Sequence, residues 1–410
     1  FDSGHTYERI AILSHFERNG AKDPLTRRAL SSTKVMTNWA MRNVVQAWLD
    51  KHPGVTPDGW DSRELLEPSK DDGTRSFDDE GDVGVLRTWR AMCPELQERW
   101  PEDEQPEDWE GVEMENGRVV KLVLDEFDLT GAVPAEIGRL SALRELGLGS
   151  NQLTSLPAEI GQLTSLTKLN LSGNHLTSVP AEIGQLTSLW QLSLFSNQLT
   201  SLPDEIGQLT ALSDLSLGGN RLTSVPAEIG QLTSLVKLWL GDNQLTSLPA
   251  EIGQLTSLTR LSLYSNQLTS LPAEIGQLTS LQLLYLHGNQ LTSVPTEIGQ
   301  LTSLRRLDLN ENQLTSVPTE IGQLTALKWL KLNGNLLTSV PAEIGQLASL
   351  KHLDLGGNQL TSVPAEIGQL TSLAYVSLGD NQLTSVPAAI CERRAEGCIV
   401  HLDNGVVFDE

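Results

Sequence analysis

The sequence predicts an α/β solenoid, with a parallel sheet along its concave face and short helical turns along its convex face. Three observations carry this expectation. A chain of 410 residues exceeds one ordinary compact domain, so internal repeats are the first thing to seek. An asparagine recurs every 23 residues, at Asn151, Asn174, Asn197, Asn220, Asn243, Asn266, Asn289, Asn312, Asn335, Asn358 and Asn381. Just before each one, apolar and variable residues alternate with a period of two, the signature of a strand with one buried face.

The unit LRELGLGSNQLTSLPAEIGQLTS, from Leu143 to Ser165, shows what each position does. Leu146 and Leu148 alternate with Glu145, Gly147 and Gly149, so the leucines face inward. Leu143, Leu153, Leu156, Ile160 and Leu163 complete one core layer. Such a unit cannot bury its apolar face alone, but stacked copies bury a continuous core. Asn151 stands where the chain leaves the strand, and its amide can serve backbone groups of its own and neighbouring units. Pro157 opens a helical turn, and Gly161 is expected to end it in a left-handed conformation.

Composition narrows the function. A net charge of -23 and a pI near 4.7 exclude a phosphate-binding surface as the main role, so no nucleic-acid partner is expected. No run of 18 apolar residues exists to span a membrane. Cys93, Cys391 and Cys398 are too few for a disulfide framework or a multi-thiolate zinc module. A reducing, cytoplasmic setting fits this usage, and a Cys391–Cys398 bridge stays open. The chain begins at Phe1, which reads as a fragment.

The repeat matches LxxLxLxxNxLxxLPxxIxxL and resembles the leucine-rich-repeat family, here in its intracellular, Ras-associated form. The resemblance implies a protein-binding solenoid. A longer unit, GRVVKLVLDEFDLTGAVPAEIGRL, precedes the array, with Phe127 in place of the asparagine. Together with DWEGV it resembles the N-terminal cap of plant receptor repeats without that cap's paired cysteines. At the far end the pattern stops at Cys391, and Cys398 to Asp403 is expected to form the last capping strand.

Residues 1–53 look different. Asn38 is a good N-cap for an amphipathic helix carrying Met41, Val44, Val45, Trp48 and Leu49. A shorter helix carries Ile12 and Phe16, and Asn19-Gly20 and Asp23-Pro24 mark the loop between them. Periodicity alone gives a small α+β module. GHTYER, DPLTR, a leucine and an asparagine opening a tryptophan-bearing helix are, however, similar to the U-box family. That family keeps the RING architecture without zinc, and residues 1–53 contain no cysteine.

The U-box resemblance implies a ubiquitin ligase that docks a ubiquitin-conjugating enzyme charged with ubiquitin. Catalysis would come from proximity and restraint of the thioester, with no covalent step on this chain, no cofactor and no metal. Matched by position, Arg27 would bridge the conjugating enzyme and ubiquitin. His15, Pro24, Leu25, Ala29 and Leu30 would line the docking groove, Ala29 standing where many members have proline. Glu8, Arg9, Asp23, Thr26 and Asn38 match positions that hold the fold. The family's first strand and first loop would fall upstream of Phe1.

Residues 54–118 are rich in Asp, Glu and Pro, and SKDDGTRSFDDEGD reads as a solvated linker. Val85 to Trp100 is expected to form a helix broken near Pro94 that covers the open end of the solenoid. A glutamate in each unit from Glu136 to Glu366 forms a ladder on the convex side. On the strands, only the outward positions vary strongly. Lys237, Trp239, Arg260, Tyr264, Tyr285, His287, Arg306, Trp329 and Lys331 are expected to form one aromatic and basic patch that binds a protein substrate.

The sequence therefore divides into a U-box at 1–53, an acidic linker and N-terminal cap at 54–118, repeats at 119–390 and a C-terminal cap at 391–410. The function it implies is a ubiquitin-protein ligase whose repeats choose the substrate. A non-enzymatic scaffold or recognition protein is the alternative.

Overall fold

A computed structural model describes residues 81–409. The elements expected in residues 1–53, with Arg27, His15, Pro24, Leu25, Ala29 and Leu30, lie outside the described residues. So does most of the stretch read as a linker.

Alternation builds the sheet. Three-residue strands such as Lys237–Trp239, Arg260–Ser262 and Leu283–Tyr285 recur once per unit and pair in parallel without a register shift. They form most of a fourteen-stranded sheet running from Val112–Glu115 to Ile399–His401. Each unit returns through a five-residue 3-10 turn, such as Ala250–Gln254, on the other side of the core. Between the two sides Leu258, Leu261, Leu263, Leu268, Leu271, Ile275 and Leu278 are all buried. Each contributes about 1.5–3 kcal/mol by leaving water.

The asparagine does what its position suggests. Asn266, 7% exposed, donates to the carbonyls of Leu240, Leu263 and Tyr264 at 3.0, 3.1 and 3.2 Å. Its Oδ1 accepts the Leu245 N–H at 3.0 Å. One side chain thus closes its own turn and fastens it to the preceding unit. Phe127, in the asparagine position of the first unit, is buried instead, and its N–H donates to Asn151 at 3.1 Å.

The glycine of the turn is there for a different reason from the one expected. Gly161 lies inside the Ala158–Gln162 turn and is absent from the positive-φ positions. A Cβ on it would stand 2.6 Å from the Glu182 carbonyl oxygen and 2.9 Å from the Glu182 Cβ. The same close approach recurs at Gly253 under Glu274. Successive turns stack so tightly that no side chain fits. The left-handed residue comes earlier, immediately before the asparagine: Gly219 at φ 66°, Asp242 at 54°, Ser265 at 49°. That is where the chain swings out of the strand.

Both ends are closed. Helices Asp82–Met92 and Pro94–Arg99 break at Cys93, because Pro94 cannot continue the first helix. Trp100 is buried and stacks on Trp109 with ring centres 4.9 Å apart. Val112–Glu115 pairs antiparallel with Arg118–Val123 at the sheet's first edge. Asp82, from a stretch read as solvated linker, is in fact buried. Its carboxylate accepts the Val119 N–H at 2.8 Å and Arg118 Nε at 3.0 Å, which offsets its desolvation. At the far end helix Ala388–Ala395 packs on the last turn, and strand Ile399–His401 pairs with Tyr375–Ser377. Asp403 accepts the N–H groups of Asp380 and Asn381 at 3.0 and 3.4 Å.

Candidate functional site

The ladder register sets the candidate surface. Lys237, Arg260, Leu283, Arg306 and Trp329 stand side by side on successive strands. Trp239, Ser262, Tyr285, Asp308 and Lys331 form the next column. Tyr264 and His287 follow their strands in a third column and stack at 5.0 Å with an interplanar angle of 4°. The nine residues expected as a patch are therefore neighbours on one sheet face.

Their charge is not the one expected. Lys237 Nζ is held by Asp214 at 2.8 Å. Arg306 makes a two-toothed contact with Asp308 at 2.8 and 3.0 Å, and its guanidinium lies 5.4 Å from the centre of the Tyr285 ring. That hydrogen bond raises the arginine pKa further. Asp308 is 3% exposed, so its charge is matched where water cannot reach. Of the cations that made the patch read as basic, two are already neutralised. The surface is aromatic and charge-paired. Arg260 and Trp329 remain exposed, the latter at 40%.

A groove of about 210 Å³ opens beside this patch, lined by Phe195, Ser216, Gly218, Trp239, Gly241, Ser262 and Tyr264. Burial, then the hydrogen bond to Asp242, raises the Tyr264 phenol pKa, so it stays neutral. Of the lining residues, only Trp239 and Tyr264 belong to the patch that the sequence predicts; Phe195, Ser216, Gly218, Gly241 and Ser262 do not. Two glycines between an upstream Phe and a downstream Tyr at the same unit position were the available signal. Further along the same face, His352 stacks on Tyr375 at 4.4 Å, and burial lowers the histidine pKa.

The cysteines are free thiols, with Cys391 exposed and Cys93 and Cys398 buried. Burial, then a hydrogen bond to Glu95, pushes the Cys93 thiol up to about 11, and burial also raises Cys398. Both stay protonated at pH 8, and thiolate is the reactive form. Alkylation at that pH is expected to label Cys391 at least tenfold faster than the other two, read by peptide mass spectrometry. Comparable labelling of Cys93 would contradict its burial. Among the described residues no group of three or more His, Cys, Asp or Glu is placed to hold a metal. No helix among them is long and apolar enough to cross a membrane.

Comparison with known proteins agrees with this geometry. A leucine-rich repeat region model matches residues 118–236, 191–269 and 215–317, and a leucine rich repeat model matches 302–360 and 325–383. A U-box domain model matches residues 1–54. Over 50 residues, 12% of this chain, the sequence is 44% identical to E3 ubiquitin-protein ligase CHIP of Arabidopsis thaliana. The match spans 18% of that relative's length. Among solved structures, a leucine-rich-repeat protein of Leptospira interrogans is 44% identical, covering 69% of this chain and 77% of that one, at TM-score 0.58. The ectodomain of the Arabidopsis receptor kinase HAESA, solved with a peptide hormone, is 30% identical over 81% of this chain and 62% of that one, at TM-score 0.57. An internalin of Listeria monocytogenes shares the fold at 22% identity and TM-score 0.58, covering 82% of this chain and 97% of that one. With these repeats filling most of its length and a U-box domain at residues 1–54, the chain belongs to the leucine-rich-repeat family.

Proposed function

We propose that this protein is a U-box ubiquitin-protein ligase, in which the U-box recruits a charged conjugating enzyme and the sheet face of the repeats binds the substrate. The observation that carries the reading is the union in one chain of a U-box match and a solenoid whose exposed strand positions vary widely while its core stays aliphatic. Arg27 restrains the conjugating enzyme–ubiquitin thioester, and His15, Pro24, Leu25, Ala29 and Leu30 form the docking groove. No step passes through a covalent adduct on this chain. Binding on the sheet face raises the effective concentration of a substrate lysine near that thioester. Aromatic anchors such as Trp239 and Tyr285 carry most of the substrate affinity, as at other interfaces. A cytoplasmic setting suits this chemistry.

Discharge of ubiquitin from a charged conjugating enzyme tests the reading. The protein should accelerate discharge, and a chelator should not change the rate. Arg27→Ala should slow it about tenfold, a loss of about 1.4 kcal/mol in the transition state, with an unchanged melting curve. Parent-like discharge would remove Arg27 from the site. No acceleration with any of a panel of conjugating enzymes would favour the scaffold reading. In a parallel pull-down, the Trp239→Ala/Tyr285→Ala double variant should lose partners that Glu251→Ala, on the turn side, keeps.

A further inference from the structure

The groove beside Trp239 is built unlike the rest of the sheet face. Phe195 and Tyr264 occupy the same position in units three strands apart, and Gly218 and Gly241 occupy it in the two units between. A Cβ on Gly218 would stand 3.2 Å from Phe195 Cδ2, and one on Gly241 would collide with the Tyr264 ring. The two rings therefore lean towards each other over bare backbone. Trp239 supplies a third ring from its strand. His287 covers one face of Tyr264, which leaves the other face for the groove.

Three features say what belongs there. Elsewhere on this face the chain's own cations sit on its rings: Lys168 lies 5.3 Å from the Trp190 centre and Arg306 lies 5.4 Å from that of Tyr285. Among the described residues no cation lies over Phe195, Trp239 or Tyr264. Lys237, two residues from Trp239, is held by Asp214 instead. Second, Ser262 lines the groove at 1% exposure, and its hydroxyl has no hydrogen-bond partner. A buried hydroxyl without a partner is costly, so a donor arriving with a ligand is favoured. Third, Lys237 beside the groove is neutralised by Asp214 and the Asp242 carboxylate is hydrogen-bonded to Tyr264, while the protein as a whole carries -23. The long-range field draws cations in, against one exposed local cation, Arg260.

We propose that Phe195, Trp239 and Tyr264 form an aromatic cage for the alkylammonium group of a lysine side chain, plain or methylated, on a partner protein, with Ser262 Oγ accepting an N–H from it. A cation within about 6 Å of such ring centres is attracted by their quadrupoles. An ammonium that keeps at least one N–H satisfies Ser262, so mono- and dimethyl-lysine fit better than trimethyl-lysine. The proposal rests on the sheet face being the binding face, and it names the chemistry of one contact there.

Titration of the full chain with capped lysine, its Nε-dimethyl and Nε-trimethyl forms and the uncharged norleucine analogue, followed by NMR or calorimetry, tests it. The dimethyl form should bind at least tenfold tighter than norleucine and several-fold tighter than the trimethyl form. Tyr264→Ala and Trp239→Ala should each abolish saturable binding. Ser262→Ala, which removes an unpartnered hydroxyl and should fold normally, should erase the preference for dimethyl over trimethyl. Equal affinity for norleucine, or unchanged binding by the ring variants, overturns the cage. Binding to phosphatidylcholine vesicles without binding to the lysine probes also overturns it, in favour of a lipid headgroup. If no probe binds while the Trp239/Tyr285 variant still loses its partners, the cage fails and the substrate-binding face stands.

Discussion

Replacing Asn266 by alanine should lower stability by about 1–3 kcal/mol, measured as a shift in the urea or thermal unfolding midpoint. The side chain satisfies the Leu245 N–H and the carbonyls of Leu240, Leu263 and Tyr264. Its removal orphans the Leu245 N–H in a dry interior, at about 1–3 kcal/mol, while the three carbonyls keep a second donor each, from Asn243, Asn289 and the Asp242 N–H. Gln267 is the next residue, exposed, and only its backbone N–H is used, towards Leu245 O at 2.9 Å. Gln267→Ala should therefore stay within about 0.5 kcal/mol of the parent. A reversed ranking would mean that the asparagine ladder does not hold the units together.

The second large effect concerns Gly253, at the crowded stack of turns. Gly253→Ala should destabilise by about 1–3 kcal/mol, because added volume in a packed site forces the surroundings to move. The atoms it would meet are the Glu274 carbonyl oxygen at 2.6 Å, Gln277 Oε1 at 2.8 Å and the Glu274 Cβ at 2.9 Å. The glutamine can swing away, but the backbone of the next unit cannot. Gly253→Asn separates the two explanations for this glycine. Asparagine tolerates the left-handed region, so it would rescue a position conserving backbone conformation. Close packing instead predicts that asparagine is at least as damaging as alanine. A rescue by asparagine would sink the steric account.

The repeat pattern made most of the fold legible. The period of the asparagine located the sheet strand of each repeat unit, and the alternation at Leu146 and Leu148 told which side faced the core. The purpose of Gly161 was not legible, because a close approach between turns depends on the pitch of the stack rather than on the local string. Asp82 was hidden for a related reason: an acidic, glycine-containing stretch reads as solvent-facing until a partner 37 residues away supplies the N–H. On the sheet face, the columns followed from the register, yet the charge pairing did not. Lys237 with Asp214 and Arg306 with Asp308 neutralise each other through side-chain conformations that spacing alone leaves free. The groove depended on ring direction, which a column of letters does not contain.

The near-identity of the junctions has a consequence for how such a gene changes. From Asn174 onward each asparagine of the ladder joins its own turn to the preceding unit with the same set of bonds, and each turn glycine from Gly138 to Gly345 meets the following glutamate at nearly the same distance. Unequal crossing-over between near-identical coding segments would remove or add whole units while recreating an equivalent junction, with both caps untouched. The length of the sheet face is thus free to drift by whole units without exposing an apolar edge. Which side chains face each other across neighbouring strands is reshuffled in the same event. The aromatic groove, assembled from Phe195 to Tyr264 across four consecutive units, would not survive a crossover inside that span.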